Sequence, residues 1–101
     1  AVVAMSGTSV ATAVIAGSAA IVRQYFSDGW HPTGAPRDED ELQVSAALIK
    51  ACLLTSSRSV THDGGSSARV SQLPNMAEGW GRPSLMRLLY VKNSGLENRR
   101  L

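Results

Sequence analysis

The sequence predicts a mainly helical chain, about three helices with one or two short strands, and three stretches carry that reading. Apolar residues run almost unbroken from Val10 to Val22. Val44, Ala47, Leu48, Ala51, Cys52 and Leu54 recur at intervals of three and four, the spacing of one helix face. Pro83, a residue suited to the first turn of a helix, precedes Leu85, Leu88 and Leu89. The 101 residues leave room for one domain with a modest core. Apolar residues make up 44%, with alanine and valine dominant and just two Trp, two Tyr and one Phe. A net charge of +2, with basic residues scattered until Arg99-Arg100, argues against nucleic acid or an anionic membrane as partner. A single cysteine, Cys52, excludes an internal disulfide and a thiolate metal site.

In chain order, Ala1–Met5 is short, apolar and compatible with an entering strand. Gly7 can turn where a residue with a Cβ is strained, and Ser6 and Thr8 are helix-capping types. A helix is therefore expected from Ser9 to about Phe26. At its start the first N–H groups lack intrahelical partners, and the positive end of the dipole favours negative charge. Ser9 thus stands where a nucleophile attacking a carbonyl would be well served. The helix is apolar on nearly every side, as in a helix buried among other elements. The chain holds little else to surround it, which predicts that most of the core is absent and that the piece is poorly stable alone. Gly17 costs about 1 kcal/mol of helix propensity relative to alanine and makes sense if another backbone packs closely there. A membrane anchor is a rival reading of the same run. Val10–Val22 makes a helix of only about 20 Å, against the roughly 30 Å of a bilayer core, and carries no basic leader. A start at Ala1 rather than methionine suggests a processed product or a piece of a longer chain.

Gly29 is the expected left-handed stop of this helix, and Trp30–Pro36 reads as an ordered loop. Asp38-Glu39-Asp40-Glu41 reads as a solvated run favouring the next helix start; as a cation site it lacks alternating ligand spacing. The second helix runs from Val44 or Ser45 to Thr55, with Ser45 as N-cap and Cys52 a buried, inert thiol. Residues 56–72 form an exposed loop with a turn at Asp63-Gly64-Gly65. Short strands are expected near Ser59-Val60-Thr61 and Ala68-Arg69-Val70. Gly79-Trp80-Gly81 implies a tight backbone path with the ring tucked against the body. A third helix follows from Ser84 to about Val91, stopped by Asn93-Ser94-Gly95, and Leu96–Leu101 is a frayed tail.

Ser6-Gly7-Thr8-Ser9-Val10-Ala11-Thr12-Ala13-Val14-Ile15-Ala16-Gly17 resembles the serine box of subtilisin-like serine peptidases. Gly7, Thr8, Ser9, Ala11, Thr12, Ala16 and Gly17 match that signature, whereas Val10 stands where the family usually has methionine and Ala13 where it has proline. Ser45–Leu53 looks like the family's next helix, and Gly79-Trp80-Gly81-Arg82 like the glycine motif before its closing helix. The stretch Arg23–Phe26 with Gly29-Trp30 and Pro32-Thr33-Gly34 is similar to the larger, secreted-type members. The resemblance spans about Met5 to Leu89 and implies a C-terminal portion of a catalytic domain over 1–92, with 93–101 as tail.

The fold it implies is a fragment of an α/β domain, a parallel sheet with flanking helices. The implied activity is peptide-bond hydrolysis by acyl transfer, with Ser9 as nucleophile and its own backbone N–H as half of the oxyanion hole. Gly7, Thr8 and Val10 support the site. Such a serine needs a histidine base and an orienting carboxylate, which in this family precede the serine in the chain. His31 and His62 both follow Ser9, and His31 lies at the far end of the long helix, so the piece alone is expected to be inactive. The implied partners are a peptide or protein substrate and the missing N-terminal part of the same catalytic domain, with no nucleic acid and no membrane span. No cofactor or metal belongs to this segment, calcium is left to the parent, and the implied location is secreted or vesicular. The rival classes are a non-catalytic relic or pseudopeptidase fragment, and the membrane-anchored segment.

Overall fold

The computed structural model describes residues 1–60 and 72–94. The expected turn at Asp63-Gly64-Gly65, the strand at Ala68-Arg69-Val70, His62 and the tail beyond Ser94 lie outside the described residues. Three helices follow in order: α1 (Thr8–Ser27), α2 (Ala46–Ser56) and α3 (Leu85–Leu88), with a 3₁₀ turn at Asp38–Asp40 between the first two. α2 packs on both α1 and α3.

α1 begins where Gly7 takes φ 144° and ψ 167°, a backbone open to glycine alone among the residues of this stretch. It ends as expected at Gly29, whose φ of 71° is left-handed. There the amides of Asp28, Gly29 and Trp30 donate to the carbonyls of Gln24, Phe26 and Tyr25 at 2.9, 3.1 and 3.0 Å, closing the helix end. α2 starts at the predicted cap: the Ser45 hydroxyl accepts from the Leu48 amide at 3.2 Å, an interaction worth about 1 kcal/mol.

Tertiary contacts overrule the sequence reading at several points. The third helix reaches only Leu88, one turn instead of two. The Tyr25 hydroxyl donates to the Tyr90 carbonyl at 2.8 Å and accepts from the Tyr90 amide at 3.3 Å, while the Lys92 amide donates to Gly34 O at 2.8 Å. Those bonds hold residues 89–91 outside the helix, with Leu89 extended at φ −95° and ψ 126° and a turn following at Lys92. Burial, the largest influence, pushes the Tyr25 hydroxyl above its ordinary value, so it stays a donor at neutral pH. No strand forms among the described residues. Ala1–Met5 is irregular and exposed. Near Ser59, the described residues form one isolated antiparallel bridge, Arg58 with Arg82. Trp80 is about half exposed (49%) rather than tucked away.

The core is correspondingly small. Among the described residues, Val22 and Tyr25 are the buried apolar side chains and Ser56 the buried polar one, the Ser56 hydroxyl donating to Leu53 O at 3.0 Å and accepting from the Ser84 amide at 3.4 Å. Val14 and Ile21 on α1 remain 64% and 47% exposed, and a Cβ on Gly17 would meet nothing within 4 Å. The close backbone expected at Gly17 is therefore absent from the described residues, and the all-round apolar helix is left uncovered on most of its circumference.

Candidate functional site

Ser9 is the second residue of α1, exposed to solvent with Gly7, Thr8 and Val10 around it. The first bond into the helix is the Ala11 amide to Gly7 O at 3.1 Å, so the amides of Thr8, Ser9 and Val10 come before the ladder and are free to donate. No side chain caps them. They are left as uncapped donors on the turn that carries Ser9, at the positive end of a 20-residue helix. Val10, 38% exposed, forms a stiff apolar wall next to the serine. One turn further on, the Thr12 hydroxyl donates back to the Thr8 carbonyl at 2.8 Å.

Nothing among the described residues stands ready to take the Ser9 proton. His31 follows the far end of α1, with its ring 5.7 Å from that of Phe26. The 18 residues from Ser9 to Phe26 place it roughly 25 Å away along the axis, against the approximately 3 Å that proton transfer needs. Nor do the acidic residues gather there. In the 38–41 run, Arg37 pairs with Glu39 at 2.7 Å and with Asp40 at 3.5 Å, turning those carboxylates inward on their own loop. Among the described residues no group of three or more His, Cys, Asp or Glu is placed to hold a metal ion. Cys52 is half-buried rather than enclosed, and burial pushes its thiol up, away from the reactive thiolate. No described helix is long and apolar enough to cross a membrane.

Two of the open apolar grooves against α1 lie along residues 11–19. One, about 450 Å³, lies toward α2 and is lined by Ile15, Ala19, Ile49, Leu53, Trp80 and Pro83. The other, about 630 Å³, runs along Ala11, Val14, Val60, Glu78 and Arg82.

Glu78 was not marked by the sequence, although Asn75 three residues earlier is a turn former. Its carboxylate accepts from the Ser59 hydroxyl at 2.6 Å, the Val60 amide at 2.8 Å and the Asn75 amide group at 3.1 Å, joining residues 59–60 to the turn at 75–79. The Ser59 bond first, then the Val60 amide, hold the carboxyl below its ordinary value of about 4.5. A lowered folded-state value contributes stability above the unfolded value, and that contribution disappears as pH falls through the lowered one. The protection of the Val60 amide hydrogen, its exchange rate compared with the intrinsic rate at each pH, is accordingly expected to fall on acidification below about pH 4.5. In Glu78→Ala, which lacks the carboxylate, this acid-dependent step should vanish; its persistence there would assign it to another group.

A profile of the Subtilase family matches residues 1–81. The chain is 32% identical over 102 residues to the serine protease/ABC transporter B family protein tagD of Dictyostelium discoideum, covering 91% of this chain and 6% of that protein. With tagB of the same organism, another protein named serine protease/ABC transporter, identity is 33% over 100 residues, 89% of this chain and 5% of the relative. A third, tagA, is 32% identical over 94 residues, again at 5% of its length. The chain thus spans about one-twentieth of the curated relatives it matches. No solved structure matches.

Proposed function

The chain belongs to the subtilase family, and from that premise we propose that it is the C-terminal part of a subtilisin-like catalytic domain whose parent hydrolyses peptide bonds by acyl transfer. The observation that carries this reading is the place of Ser9, within the stretch matched to the family, on the first turn of α1 behind Gly7 and beside unpaired amides. In the proposed reaction the Ser9 hydroxyl oxygen attacks the scissile carbonyl carbon and gives its proton to a histidine, which a carboxylate orients. The carbonyl oxygen, now negative, accepts from the Ser9 amide, a donor already fixed by the helix. Collapse of the tetrahedral centre expels the amine, protonated by the same histidine, and leaves an acyl-enzyme on Ser9 that water releases. Gly7 supplies the turn, Thr8 the preceding peptide group and Val10 a wall that lacks the oxidisable sulfur of methionine. Ala13 keeps the amide that a proline would remove.

The histidine, the aspartate and the side-chain donor completing the oxyanion hole come from the upstream part of the domain, the partner this segment requires. In that setting the parent is an α/β domain with a parallel sheet, and Val14, Gly17 and Ile21 are covered. The segment by itself is inactive. Its substrate is a peptide or protein, no cofactor is assigned to the segment, any calcium site belongs to the rest of the parent, and the parent is secreted or vesicular. The relatives' names join a serine protease to a transporter, and it is the protease that comes to this chain, since the matched stretch holds the serine box. Treating the full-length parent with a fluorophosphonate and mapping the adduct by mass spectrometry tests the assignment. Attachment at Ser9 is expected, and attachment at any other residue overturns it.

A further inference from the structure

We infer that Thr12 is a positioning residue for the oxyanion donor, acting through the peptide group between Thr8 and Ser9, an inference that rests on the proposed role of Ser9. The Thr8 carbonyl and the Ser9 amide are opposite ends of one planar peptide unit. Whatever holds the carbonyl therefore sets the direction of the N–H. In a regular helix that carbonyl accepts only the amide four residues on, here Thr12. The Thr12 hydroxyl adds a second donor at 2.8 Å to the same oxygen. Two donors on the carbonyl restrain the tilt of the peptide plane, and they draw electron density away from its nitrogen. Hydrogen bonds linked in this way strengthen one another, so the Ser9 N–H becomes a better donor to a developing negative oxygen.

Stability does not account for this bond. Threonine is a poorer helix former than alanine, and hydroxyl bonds back to the fourth preceding carbonyl weaken a helix slightly. The side chain is exposed. The same helix also contains an internal control: the Ser18 hydroxyl donates to the Val14 carbonyl at 2.9 Å, the same geometry on a peptide group that faces no reacting atom.

The test uses the full-length enzyme, with active sites counted by fluorophosphonate labelling before each rate is measured on a chromogenic peptide amide. Thr12→Val keeps the shape and removes the donor. It is expected to lower kcat about tenfold with KM and thermal midpoint little changed. Thr12→Ser restores the donor and should recover most of kcat, while Ser18→Ala should leave both constants at the wild-type level. A Thr12→Val enzyme that labels at Ser9 and keeps kcat within twofold of wild type overturns the inference and spares the nucleophile assignment. Equal losses in Thr12→Val and Ser18→Ala also overturn it, by showing a general effect on the helix. Failure of the wild-type enzyme to label at Ser9 overturns both.

Discussion

On the proposed mechanism, replacing Ser9 by alanine in the full-length parent is expected to lower kcat by roughly 10⁶-fold, the scale on which removing the nucleophile disables a serine-protease triad. The change deletes the oxygen that forms the acyl bond in the proposed reaction. The amides of the first turn survive the substitution, so substrate still binds and KM is expected to move little. Folding is also spared, since Ser9 is exposed and its hydroxyl supports no other contact among the described residues. The informative pairing is thus a lost rate beside an unchanged unfolding midpoint, measured on the same preparation. An alanine variant retaining more than a hundredth of wild-type kcat would remove Ser9 from the chemistry.

The second large effect is structural. Gly29→Ala is expected to destabilise the intact protein by about 3 kcal/mol, read from urea or thermal unfolding. Two causes act together. The φ of 71° is unfavourable for a residue with a Cβ, and the added carbon would overlap the Arg37 carbonyl, with the Glu41 amide close behind. Relief requires moving the 37–41 segment, which is tied back to α1 by the Arg37 amide to Gly29 O at 3.3 Å and the Leu42 amide to Phe26 O at 3.0 Å. A loss under 1 kcal/mol would mean that this loop yields easily and that Gly29 serves only as a helix stop.

Much of the candidate site was legible in the sequence because the signals there are local. A glycine, a run of hydroxyl residues and an abrupt apolar stretch suffice to open a helix at Thr8, within one residue of the expected start. Ser45 and Gly29 were readable for the same reason, since caps depend on chemistry within a few residues. The Glu78 clamp and the Tyr25–Tyr90 pair were not readable. The latter joins groups 65 residues apart, and no periodicity encodes such a contact.

What the sequence determined alone was the placement of the helix starts, the stop of α1 and the apolar character of that helix on nearly every side. Those follow from capping, backbone freedom and the balance of apolar residues, all short-range or compositional. Only the tertiary structure decided that α3 stops after one turn and that Glu78 joins two loops. In each case a hydrogen bond between distant residues outweighed local preference, because propensities of a few tenths of a kcal/mol per residue yield to tertiary bonds worth about 1 kcal/mol each.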